Sequence, residues 1–281
     1  MRPRAEESLE LRWIGRLGAA ILLTGQVWLH LIQGKVCHRK IMEHMVKVGP
    51  ASISPVILVN TCAGMIFTIQ TARELQHFGA ASSVGGAFAL AFCRELAPIL
   101  SASIIAGQVG SSFAAEIGAM QVTEQIDALY MLRTDPIDYL VLPRVIACCL
   151  MLPIVTMIAL VTGIAGGIFA AQQFYQISPA TFLESVRNFL EPSDMLIVVF
   201  KGFIFGTLVA VIGCSWGLTT KGGVKQVGAS ATAAVVTAWI CIFVIDFFIS
   251  VFLLSRRPTP WWRNLGRRTR STAIELRRQS R

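Results

Sequence analysis

Arg94, Glu95, Lys201 and Asp246 are ionisable side chains set inside long apolar runs. A charge at the centre of a bilayer costs roughly 2.5–3.5 kcal/mol on insertion scales, so such residues turn toward a protein interior or a wet cavity. Arg94 and Glu95 are sequence neighbours, about 100° apart on a helix. They face each other poorly, so their partners are expected on other helices. Two chemistries fit these residue types. One is a polar patch in a substrate cavity that meets headgroups. The other is an ion-pair network that holds helices together. Spacing leaves both open.

A second stretch, 114–129 (AAEIGAMQVTEQIDAL), is polar and charged yet lies between two apolar runs. Val122, Ile126 and Leu129 fall at i, i+4 and i+7 on one face, while Glu124 and Asp127 lie off that stripe. The pattern predicts a short amphipathic helix outside the bilayer. Such a helix docks a soluble partner or lies on the headgroups, and spacing does not choose between them.

Catalytic constellations are missing. The run from Gly217 to Gly223 fails as a phosphate-binding loop because Gly223 stands where the lysine belongs. There is no GxSxG and no HExxH. The seven cysteines are scattered without a CxxC, six of them in apolar runs, and read as small buried hydrophobes. His30, His38, His44 and His77 show no metal spacing with cysteines or carboxylates. The chain reads as no enzyme, with no catalytic residue, no metal and no cofactor of its own. If ATP drives it, ATP and Mg belong to another subunit.

The elements that must position these residues are membrane helices. The chain is 54% hydrophobic and only 15% charged, with mean hydropathy +0.63. Soluble domains carry about 25% charged residues. Five apolar runs, about 50–71, 86–113, 143–170, 195–216 and 231–254, each have enough residues to cross a core of about 30 Å. The fold class is therefore an all-α integral membrane protein. Residues 14–32 hold Gly15, Arg16, Gly18, Thr24, Gly25, Gln26 and His30. Leu9, Trp13 and Leu17 form a stripe beside Arg12 and Arg16. That favours an interfacial helix over a full span. No cleavable signal peptide is expected, so insertion uses uncleaved spans.

The net charge of +9 is no nucleic-acid signal. Nine arginines follow Leu254 and eight basic residues precede residue 48, where they flank apolar runs as lipid-facing charges do. The loop with Lys221 and Lys225 reads as cytoplasmic, and the loop with Glu184, Glu191 and Asp194 as external. Five spans then place the 114–144 segment in the cytoplasm but the Arg-rich tail outside, against the usual preference of basic residues for the inner side. In the external loop, Ser178 is a candidate N-cap with Pro179 at the first helical position. A short helix with Phe182, Leu183, Val186 and Leu190 on its apolar face is expected there. Trp261-Trp262 reads as an interfacial belt before a basic end.

Several motifs recur in a family's order. They are Arg94-Glu95-Leu96-Ala97-Pro98, Ala106-Gly107-Gln108-Val109-Gly110-Ser111, the whole 114–129 stretch, Asp135 to Arg144, Lys201-Gly202-Phe203-Ile204-Phe205-Gly206, and Gly222 to Thr232, with Asp246 in the last span. Over about residues 40–255 the chain closely resembles the MlaE/YrbE permease family, in a cyanobacterial or chloroplast-envelope form. Lys225-Gln226 depart mildly from that family's second glycine-rich motif. The resemblance implies three regions: an amino-terminal interfacial or elbow helix over 1–48, a permease domain over 49–255 and a basic tail over 256–281.

The resemblance also implies the permease of an ABC transporter that moves phospholipid or related lipid between membranes. It would work as a homodimer with a separate P-loop ATPase and an outer ring of MCE-domain proteins. The setting would be the inner membrane of a Gram-negative-type or cyanobacterial cell, or the chloroplast inner envelope. Glu116, Val122, Glu124, Ile126, Asp127 and Leu129 would couple to the ATPase. The first, second and fifth spans would enclose the lipid, with Arg94, Glu95 and Asp246 lining the cavity. Gly107, Gly110, Gly202 and Gly206 would be structural. Two other readings of the residues remain: an ion-coupled secondary transporter with Glu95 and Asp246 as a proton relay, and a passive anchor for an external complex.

Overall fold

The computed structural model describes residues 3–33 and 38–255. The described residues form helices joined by short turns, with no strand among them. We label them α1 (Pro3–Gln33), α2 (His38–His77), α3 (Ala81–Val122), α4 (Gln125–Met131), α5 (Ile137–Tyr175), α6 (Pro179–Phe189), α7 (Pro192–Leu218) and α8 (Val224–Ser255). Among the described residues, α2, α3, α5, α7 and α8 are long and apolar enough to cross a membrane. The five expected spans are present, and α1 is not one of them. Trp261-Trp262 and the Arg-rich end lie outside the described residues.

Contacts divide the chain after Phe243. From Val244 onward the described part is the end of α8, which carries Asp246 and an edge-on pair of rings, Phe247 and Phe248.

Within the unit ending at Phe243, α2 packs along α5, α5 along α7, and α7 along α3. Lipid tails are as apolar as leucine, so close approach and dispersion, not a hydrophobic force, hold such helices together. Glycine makes the approach possible. A Cβ on Gly202 would lie 2.8 Å from Pro153 Cα, and one on Gly206 2.5 Å from the Cys148 carbonyl oxygen. Further along α7, a Cβ on Gly213 would lie 2.8 Å from the Gly110 oxygen. Of the four glycines expected to be structural, Gly110, Gly202 and Gly206 thus serve packing within one chain. Gly107 is the exception and meets nothing within 4 Å.

The bundle has two differently built ends. At one, Ser178 caps α6 by accepting from the Thr181 N–H at 3.2 Å. Phe182 and Val186 are buried there, and the Ser185 hydroxyl accepts the Gly86 N–H at 2.9 Å. Leu183, expected on the same face, points outward. At the other end α1 lies against α7. Trp13 and Trp216 meet edge to face at 6.1 Å, and Arg16 donates to the Thr219 carbonyl at 3.5 Å. Ala20, Leu23 and Val27 are buried, while Ile21, Leu22, Trp28 and Leu29 stay exposed. An apolar outer face of that kind suits a helix embedded in the membrane interface.

Two expectations are corrected. α2 begins at His38, well before residue 50, and runs through Pro50 and Pro55. Membrane helices tolerate proline because neighbours re-satisfy the freed backbone groups. The expected separate helix over 114–129 is not one piece. α3 carries the chain on to Val122, and only after a break does α4 begin. Three stretches widen into π turns: Phe92–Leu96 and Ala106–Gly110 in α3, and Ile137–Val141 at the start of α5.

Candidate functional site: a charged cluster and a stepped foot

The first π turn carries Arg94 and Glu95, and its cause is local. Pro98 has no N–H, so the carbonyl of Arg94, four residues earlier, loses its helical donor. The Lys201 ammonium on α7 takes that place, donating to the Arg94 oxygen at 2.8 Å and to Glu95 Oε2 at 2.9 Å. The Arg94 guanidinium reaches the other way, to Asp194 Oδ1 at 2.9 Å. Asp194 also accepts the Glu191 N–H at 3.1 Å and so caps α7. Lys201 lies nine residues into α7, roughly 14 Å from its start.

Two charges of each sign therefore gather between α3 and α7 near the α6 end. Lys201 and Asp194 are fully buried, whereas the Arg94 and Glu95 side chains are 32% and 42% exposed. Buried partners fix the exposed pair's orientation. The helices are thus tied together, and a polar face with no net charge stays exposed beside them. The sequence pointed to Arg94, Glu95 and Lys201 but missed Asp194, which read only as an external loop acid. Asp246 sits on α8, in the segment from Val244 onward.

The opposite end is the stepped foot. Thr123 and Glu124 break the helix, with Glu124 in the left-handed region at φ 57°. Arg133, just past α4, is left-handed at φ 56°. The non-glycine cost of that geometry is about 1–2 kcal/mol per residue. The break re-aims the predicted stripe. Ile126 is buried and fastens α4 to the bundle, while Val122 and Leu129 are half-buried. Ile126 is therefore packed within the chain and is not presented on its surface. Glu124 and Asp127 are exposed, as expected. The exposed apolar side chains are Tyr130, Met131 and Leu132, which sequence periodicity did not single out.

Glu116 lies on α3 ahead of the foot, half-buried. It accepts Arg144 Nη2 at 2.9 Å and lies 3.6 Å from Lys47 Nζ. Arg144 also donates to the Leu140 carbonyl at 2.7 Å and stacks over Phe113. Gly202, Gly206 and Gly110 sit at helix contacts, and Gly107 does not.

The fold also gathers residues that sequence spacing kept apart. His30 Nδ1 on α1 lies 2.6 Å from Asp138 Oδ1, and Asp135 lies 4.0 Å from Nε2. Their ligand atoms fall within 4.8 Å of one another, close enough to hold a metal ion. The direct imidazole–carboxylate contact already accounts for the geometry, and it pins α1 to the start of α5.

Five apolar spans, a charged cluster between two of them and a stepped foot at the opposite end of the bundle describe a multi-pass membrane protein. The family model described as Permease MlaE matches residues 41–252, and the chain belongs to that family. It is 54% identical over 246 residues to the "Probable ABC transporter permease protein slr1045" of Synechocystis sp., covering 88% of this chain and 93% of the relative. It is 45% identical over 242 residues to the "Probable ABC transporter permease protein ycf63" of Pyropia yezoensis, covering 86% and 92%. It is 43% identical over 241 residues to "Protein TRIGALACTOSYLDIACYLGLYCEROL 1, chloroplastic" of Arabidopsis thaliana, covering 86% and 69%.

Proposed function

We propose that this chain is the membrane subunit of an ABC transporter that moves phospholipid or a related diacyl lipid between membranes. It works as a homodimer, with a P-loop ATPase on the foot and an MCE-domain ring on the α6 end. The ATPase binds ATP and Mg. The setting is the inner membrane of a cyanobacterial or Gram-negative-type cell, or the chloroplast inner envelope. The family supports this reading, as do relatives named for ABC permeases and for a galactosylated diacylglycerol.

The observation that carries it is the stepped foot. Tyr130, Met131 and Leu132 project outside the spans and are 62%, 88% and 74% exposed. Glu124 and Asp127 flank them. An apolar knob with an acidic rim suits a groove in a soluble partner. At the other end, Arg94 and Glu95 offer a headgroup-sized polar face among apolar helices. A two-chain lipid has on the order of thirty methylenes, and at about 0.8 kcal/mol each their exposure to water costs roughly 25 kcal/mol. The tails must therefore stay in an apolar shelter while the headgroup finds polar partners. Glu95 already pairs with Lys201, which argues against a lone proton relay.

The test is purification from native membranes through a tag on this chain. A P-loop ATPase and diacyl lipid are expected to come with it, and Met131→Asp is expected to lose the ATPase while the chain stays in the membrane. Retention of the ATPase by that variant would remove the docking role of the foot.

A further inference from the structure

We propose that Arg144 is a positioning residue: its bridge to Glu116 makes the foot transmit force from the docked ATPase into three spans at once. This rests on the ATPase-docking reading above.

α4 hangs between two left-handed residues, Glu124 and Arg133. Ile126 anchors α4 at one point only, so without a further tie a push on the Tyr130–Leu132 knob would turn α4 about the two hinges and be absorbed there. A bridge closes the frame. Arg144 Nη2 on α5 grips Glu116 Oε2 on α3 at 2.9 Å, and Lys47 from α2 approaches the other carboxylate oxygen at 3.6 Å. Only six residues separate Glu116 from Val122, where α3 ends, so the bridge sits roughly 9 Å from the hinge. On the far side, Arg144 stands at the head of the helix that follows the second hinge.

Arg144 is suited to that task. Its side chain is 7% exposed, against 38% for Glu116. Its fork makes two bonds at once, one to Glu116 and one to the Leu140 carbonyl in the π turn of its own helix, and its central carbon lies over the Phe113 ring, 5.4 Å from the centroid. A planar guanidinium holds both partners in fixed directions, which an ammonium does not. The frame α3–hinge–α4–hinge–α5–bridge is therefore closed by one side chain, and α2 joins it through Lys47.

The test uses the complex purified through a tag on this chain. It is placed in vesicles of phosphatidylethanolamine and phosphatidylglycerol that contain fluorescent phosphatidylglycerol, and lipid moved is measured per ATP hydrolysed. Arg144→Gln and Glu116→Gln are each expected to lower that ratio by on the order of tenfold, with the ATPase retained and hydrolysing. The double variant should be no worse than either single one. Arg144→Lys, which keeps the charge but not the fork, should fall between. If Arg144→Gln fails to accumulate, Glu116→Gln and Arg144→Lys decide. A ratio equal to the unaltered protein's in these variants, alongside loss of the ATPase by Met131→Asp, overturns the role of Arg144 and leaves the docking reading standing. Absence of any ATPase from the purified complex removes the docking reading itself.

Discussion

Lys201 supplies to the Arg94 carbonyl the hydrogen bond that Pro98 withholds. The donor comes from another helix, so a local backbone defect becomes a tie between α3 and α7. Lys201→Met removes that tie and leaves Glu95 without its ammonium. Lys201 is buried but Glu95 is 42% exposed, so the main loss is the charge-assisted hydrogen bond to the Arg94 carbonyl, about 1–3 kcal/mol. Pro98→Ala returns an N–H to Arg94, so the loss from Lys201→Met should shrink in that background. Thermal unfolding in detergent, read as a double-mutant cycle, checks the coupling. Equal losses in both backgrounds would mean that the carbonyl is not the partner that matters.

Glu95→Gln keeps an acceptor for Lys201 but removes the exposed negative charge. Diacyl lipid that copurifies with the chain is expected to fall severalfold, with a much smaller shift in melting temperature than Lys201→Met causes. A fall in melting temperature as large as that of Lys201→Met, with lipid content unchanged, would assign the cluster to holding the helices together instead.

The glycines divide by what they touch. Gly206→Val forces a branched side chain against the Cys148 carbonyl, where even a Cβ would sit at 2.5 Å. Overpacking of that kind costs about 1–3 kcal/mol, and backbone cannot give way as a side chain does. Gly107→Ala meets nothing within 4 Å and improves helix propensity, so stability should hold or rise by up to about 1 kcal/mol. Melting temperatures of the two variants, measured side by side, check the contrast.

On the foot, exposed and buried positions should fail differently. Glu124→Lys or Asp127→Lys is expected to uncouple ATP hydrolysis from lipid transport while the chain stays folded in the membrane. Ile126→Ala should instead loosen α4, seen as faster proteolysis between residues 123 and 134, because a buried aliphatic side chain is lost. Normal transport by both charge variants would sink the acidic rim as a docking feature.

Much of this arrangement is written in local chemistry. Long apolar runs set the five spans, and Ser178-Pro179 sets the start of α6, because hydropathy and capping act within a few residues. The charged cluster was half legible. Arg94, Glu95 and Lys201 stand out as charges at depth, and Pro98 four residues after Arg94 marks the orphaned carbonyl. Asp194 gave no signal, since a loop acid and a buried cap look alike in sequence. The foot was read least well. No glycine or proline marks the break at Thr123–Glu124, so periodicity carried the helix through it. The stripe of Val122, Ile126 and Leu129 was real, but the turn at Glu124 aims it inward and leaves Tyr130, Met131 and Leu132 outside. The approach of His30 to Asp138 depends on how α1 lies across the bundle, which no spacing encodes.

Each π turn is one residue more than the α-helix needs. Loss of a single residue within Phe92–Leu96 would therefore restore ordinary winding there and leave the remainder of α3 close to its present phase. The same loss in the α-helical stretch Ala97–Ile105 would rotate that remainder by about 100°, swinging Gly110 away from Gly213 and Glu116 from Arg144. A one-residue deletion within α3 should thus be far less damaging inside the widened turn than a few residues further on.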